Sequence, residues 1–104
     1  MTVLDIPFLA DVVAIRHDIH AHPELAFKEA RTADIVAREL KAYGLEVHRG
    51  LARTGVVGVL RKGSSSRAIG LRADMDALPL QEKNEFPHRS RHAGVMHGCG
   101  HDGH

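Results

Sequence analysis

The eight residues His97-Gly98-Cys99-Gly100-His101-Asp102-Gly103-His104 constrain this chain more than any other stretch. They gather the only cysteine, three histidines and an acid, spaced by glycines. Thiolate and imidazole are the usual protein ligands for zinc and similar transition metals. Glycine lets the backbone turn tightly enough for Cys99 and His101, two residues apart, to face one ion. Five of the nine histidines (His88, His92, His97, His101, His104) fall in the last seventeen positions, a skew that favours a local chemical reason. Two ligands do not close a hydrolytic site, which needs three or more protein ligands and an open position. Since the sequence stops in the middle of this stretch, the expectation is a site cut through rather than finished.

The rest of the composition narrows the partners. The chain has 14 basic and 13 acidic residues, a net charge of +1, and four scattered aromatics. Without a basic block interleaved with aromatics, nucleic acid is not an expected partner. One cysteine forms no internal disulfide. The opening Met1-Thr2-Val3-Leu4-Asp5-Ile6-Pro7 has an early acid and no basic lead or apolar run, and no stretch approaches transmembrane length. A cytoplasmic protein with no membrane partner is therefore expected.

Periodicity divides the chain. Asp5 can cap a helix with Pro7 in its first turn. Leu9, Val12, Val13, Arg16 and Ile19 then recur at helical spacing until His22-Pro23. This predicts a helix over residues 7–20. A second helix is predicted over 28–43, with Ala30, Ala33, Val36, Ala37, Leu40 and Tyr43 as its buried stripe and Gly44 at the left-handed cap. After Gly44 the period falls to two. Strands are predicted at 45–49, 55–61 and 67–73, the last two forming a hairpin around Lys62-Gly63-Ser64-Ser65-Ser66. Residues 77–97 read as a long loop, of the kind that is usually functional. The order helix, helix, strand, strand, strand, loop gives an α/β fold, an incomplete sandwich with one sheet face poorly covered.

Further candidates lie outside the tail. Asp74 and Asp76 follow the third expected strand. They face opposite ways if the strand persists and can both turn inward if it ends at Asp74. One of them can orient a ligand histidine, fixing its tautomer; the plainer alternative is a solvated or turn-capping acid. His20 and His22 close the first helix, where the dipole favours histidine, so a structural role is expected. Asp102 can cap a following helix.

Taken together, these pieces resemble the metal-dependent amidohydrolases that include hippurate hydrolases, N-acyl-amino-acid hydrolases and auxin-conjugate hydrolases. The resemblance rests on Arg16-His17-Asp18-Ile19-His20-Ala21-His22-Pro23-Glu24-Leu25 with Glu29, on Thr54-Gly55-Val56-Val57, on Leu71-Arg72-Ala73-Asp74-Met75-Asp76-Ala77-Leu78-Pro79, and on the final eight residues. It implies that residues 1–104 are the N-terminal portion of an αβα-sandwich catalytic domain, interrupted at its metal-binding loop. It implies a two-metal site holding manganese, zinc, cobalt or nickel, in which Cys99 and His101 match ligand positions and Asp76 matches a supporting aspartate. Asp74 falls where related peptidases have a ligand histidine. The general-base glutamate and the remaining ligands are expected beyond His104. The implied reaction is hydrolysis of the amide bond of a small N-acyl amino acid, by an enzyme that is a homodimer or homotetramer when complete. The 104 residues alone are expected to be inactive.

Two other functions compete. A non-enzymatic metal-binding module would need ligands only in the tail and would leave residues 16–79 unexplained. A cysteine hydrolase, with Cys99 activated by His97 or His101, would succumb to a thiol alkylator and survive chelation.

Overall fold

The computed structural model describes residues 6–104, so the cap expected at Asp5 lies outside the described residues. Two helices lead, α1 (Leu9–Ala21) and α2 (Ala30–Ala42), followed by strands β1 (Glu46–Leu51) and β2 (Gly55–Val59) and a short 3-10 turn, His101–Gly103. The architecture is mixed α/β, as the change of period at Gly44 foretold.

Helix α1 starts two residues beyond Pro7, after a turn closed by Leu9 N–H on the Ile6 carbonyl (3.0 Å). Its apolar spacing does not become a buried face. Leu9, Val12 and Val13 remain exposed, and only the last turn, Ile19, His20 and Ala21, is buried. His22 ends the helix by giving its Nδ1–H to the Asp18 carbonyl at 2.9 Å.

Helix α2 is anchored before its first residue. The Glu24 carboxylate accepts from the Arg31 N–H (3.0 Å), the Thr32 N–H (2.6 Å) and the Thr32 hydroxyl (2.7 Å), satisfying first-turn donors that lack helical partners. The buried face is Thr32, Ala33, Ile35 and Ala37, rotated from the expected stripe. Ala30 and Tyr43 are exposed. At the far end Gly44 takes φ +85°, with its N–H on the Lys41 carbonyl (3.0 Å) and the Leu45 N–H on the Leu40 carbonyl (3.1 Å). That pairing is the Schellman motif, and it turns the chain into β1.

β1 and β2 form an antiparallel hairpin in which Glu46 faces Val59, His48 faces Val57 and Leu51 faces Gly55. The register slips between Arg49 and Leu51, where Gly50 at φ +89° makes a bulge. The hairpin therefore joins the first two strands, not the second and third. Residues 67–73, expected as a strand, run as irregular backbone with Ile69 and Leu71 90% and 96% exposed. An apolar alternation makes a strand only when a neighbour takes up its hydrogen bonds, and none of the described residues pairs with this one. α2 packs across both strands, and Gly58 permits the approach. A Cβ there would meet Leu40 Cδ1 and Leu45 Cδ2 at 3.0 Å.

The loop from 77 to 97 is pinned at intervals. Ala77 bridges Leu25, Leu78 bridges Met96, and the Arg91 N–H donates to the Ala21 carbonyl at 2.9 Å. These ties bring the tail back to the end of α1. Among the described residues no helix is long and apolar enough to cross a membrane.

Candidate metal centre

The tail is built around the 3-10 turn. Gly100 at φ +91° starts it, and Gly103 N–H closes it on the Gly100 carbonyl at 2.9 Å. His101 Nδ1–H donates to Asp76 Oδ1 (2.9 Å) and lies 3.1 Å from the Asp76 carbonyl oxygen. With Nδ1 occupied as a donor, Nε2 keeps its lone pair free for an electrophile.

Asp74, His101 and His104 each offer a ligand atom, all within 4.8 Å of one another. Asp74 also accepts from Arg72 at 2.8 Å, and this hydrogen bond holds its carboxyl below the usual range, keeping it ionised. Asp74 and Asp76 thus both meet the tail, Asp74 beside His101 and His104 and Asp76 on the His101 ring. Cys99, two residues before His101, is a free and exposed thiol outside this group of three.

The donor set fits a divalent transition ion. Imidazole, carboxylate and a nearby thiol span the borderline ligands such ions prefer. A buried orphan lies alongside: His97 is 5% exposed, and neither ring nitrogen has a hydrogen-bond partner among the described residues. Burial pushes its pKa below the ordinary histidine value, so it sits neutral beneath the loop.

Beside His101 opens a cleft of about 500 Å³, lined among others by Phe27, Glu29, Leu51, Thr54, Arg72 and Asp76. Its rim is strained. Among the described residues, Phe27 (φ 64°), Ala52 (φ 47°) and Arg53 (φ 77°) are the non-glycine residues in the left-handed region, and Arg53 lies 5.6 Å over the Phe27 ring. Such conformations cost roughly 1–3 kcal/mol each and cluster where a site must be shaped. Glu29 is buried at this wall, accepting from the Thr54 hydroxyl at 2.8 Å.

Sequence reasoning missed a second cluster. His20 is 4% exposed and lies between two carboxylates, with Nδ1 2.8 Å from Asp102 Oδ2 and Nε2 2.9 Å from Glu82 Oε2. Its position at a helix end pointed only to the dipole, and Glu82 lay in an aperiodic loop with nothing to mark it. Asp102 is buried inside the 3-10 turn, facing His20 and Arg16.

The fold and the tail define a mixed α/β unit whose last residues bring together side chains able to hold a metal ion. The model of the family described as peptidase family M20/M25/M40 matches residues 70–104, the segment carrying Asp74, Asp76, Cys99 and His101. The hippurate hydrolase of Campylobacter jejuni is 60% identical over 90 residues, covering 86% of this chain and 24% of the relative. The N-acyl-L-amino acid amidohydrolase of Geobacillus stearothermophilus is 50% identical over 95 residues, covering 90% and 25%. Among solved structures, a dinuclear metal binding peptidase from the M20 family of Bacillus subtilis superposes with a TM-score of 0.88 at 37% identity, covering 95% of this chain and 28% of that one. The chain is thus similar to peptidase family M20/M25/M40 over residues 70–104, and to these relatives over most of its own length. It spans about a quarter of the length of the curated relatives it matches.

Proposed function

We propose that this chain is part of the αβα catalytic domain of a metal-dependent amidohydrolase acting on small N-acyl amino acids, and that Cys99 and His101 are metal ligands. The observation that carries the reading is the meeting of His101 with Asp74 and His104, with Asp76 on the His101 Nδ1. The relatives named for hydrolysis of hippurate and of N-acyl-L-amino acids supply the substrate class.

In this reading His101 offers Nε2 to the ion while Asp76 fixes the ring and raises its basicity. Cys99 offers a thiolate, and Asp74 adds negative charge at the mouth of the site. When bound, a divalent ion (manganese, zinc, cobalt or nickel) supplies Lewis acidity toward the amide carbonyl and the attacking water. The cleft beside His101, with Phe27 and Leu51 on its wall and Arg72 at its edge, is where an acyl group and a carboxylate would be sorted. A thiolate ligand on a lone free cysteine fits a reducing, cytoplasmic setting.

Two measurements test this. Metal content and hydrolysis of hippurate and acetyl-methionine, measured in the enzyme at its relatives' length, should both fall on Cys99→Ser. Activity should vanish with a chelator and return with added metal. Activity that survives chelation but not thiol alkylation would replace this reading with a cysteine nucleophile. Unchanged metal content in Cys99→Ser would remove Cys99 from the ligand set.

A further inference from the structure

A neutral imidazole has one N–H, but both ring nitrogens of His20 face carboxylate oxygens. Each contact is short: 2.8 Å to Asp102, and 2.9 and 3.0 Å to the two oxygens of Glu82. Carboxylates are acceptors only, so the ring donates from both nitrogens and carries a positive charge. The carboxylates are sealed from solvent, with side-chain exposures of 2% for Glu82 and 1% for Asp102. Glu82 is filled on its other side by Asn84 Nδ2–H (2.9 Å) and the Ser90 N–H (2.6 Å). Arg16 reaches Asp102 Oδ2 at 3.3 Å. Two cations and two anions from three separate segments thus close a balanced cluster, buried except at Arg16, whose side chain is half-exposed.

The cluster's position gives it a role. Asp102 follows His101 in the chain, so the carboxylate held by His20 belongs to the same 3-10 turn as His101. That turn is gripped from two directions: Asp76 holds the His101 ring, and His20 holds Asp102 from the last turn of α1. We propose that His20, backed by Glu82, is the positioning residue of the metal-binding tail. It fixes the His101–Gly103 turn against α1 and so aims His101 at the ion. The last clause rests on the reading of His101 as a ligand; the positioning of the turn does not.

The experiment uses the 104-residue chain and its His20→Gln and Asp102→Asn variants, with two readouts. The first is amide hydrogen exchange without metal at Gly103 and His104, whose N–H groups donate to the Gly100 and His101 carbonyls. Losing a hydrogen bond between charged groups should speed both amides about 10- to 100-fold, while Ala33 in α2 keeps its rate. The second is cobalt titration, followed by thiolate-to-cobalt absorption, which should weaken about 10- to 100-fold in each variant. As a control, Ile35→Val loosens the core against α2 and should leave the cobalt affinity unchanged. If His20→Gln does not fold, Asp102→Asn removes the same ion pair while keeping an acceptor oxygen. Unchanged tail exchange in a folded variant, or equal acceleration in the tail and α2, would overturn the proposal. Absence of cobalt binding by the enzyme at its relatives' length would overturn the metal reading, and the exchange data would still decide the positioning.

Discussion

Replacing Glu82 with Gln isolates what the buried cluster contributes to stability. Burial alone would push the Glu82 carboxyl up. Hydrogen bonds from His20, Asn84 and the Ser90 N–H, with the charge of His20, outweigh burial and hold it at about 2 instead of the usual 4.5. At about 1.4 kcal/mol per pH unit, that difference corresponds to stabilisation on the order of 3 kcal/mol. Breaking a buried pair by removing one partner costs a similar amount, about 3–5 kcal/mol. The folded pKa is depressed, so the contribution is fully present above the unfolded value near 4.5 and is lost as pH falls toward 2. Urea denaturation followed by far-ultraviolet circular dichroism at pH 7 should place the Glu82→Gln midpoint about 2 M below that of the unmodified chain, given a slope near 1.5 kcal/mol per molar. The gap should shrink steadily between pH 4.5 and 2. A gap below about 1 kcal/mol at pH 7, or one that stays constant down to pH 2, would refute the argument that a charged carboxylate is held there.

Gly44→Ala should destabilise the chain by roughly 1–2 kcal/mol in the same denaturation assay, because Ala must adopt the left-handed conformation that glycine takes freely. Gly58→Val should cost about 1–3 kcal/mol, since its side chain enters space already within 3.0 Å of Leu40 and Leu45. Asp76→Ala should weaken zinc binding about 10- to 100-fold in a chelator competition, because the His101 ring loses the acceptor that fixes its tautomer.

Local signals carried the parts of this protein that local physics governs. The period change at Gly44, the left-handed glycine and the His22-Pro23 break set two helices and the two strands after them, because backbone preference and capping act within a few residues; which strands pair was not legible there. The clustering of histidine, cysteine and glycine at 97–104 marked the region of the candidate metal centre for the same reason. Tertiary structure decided the rest. Whether apolar residues are buried depends on what faces them, so Val12 and Val13 stay exposed on α1 despite their spacing, and Ile69 and Leu71 form no strand. Nothing within reach of Asp74 or Asp76 in sequence said which would meet His101; in the folded chain both do. The pairing of His20 with Glu82 and Asp102 spans 62 and 82 positions. A contact that distant leaves no periodic trace, and the charge of such a group is set by neighbours that only the folded chain provides.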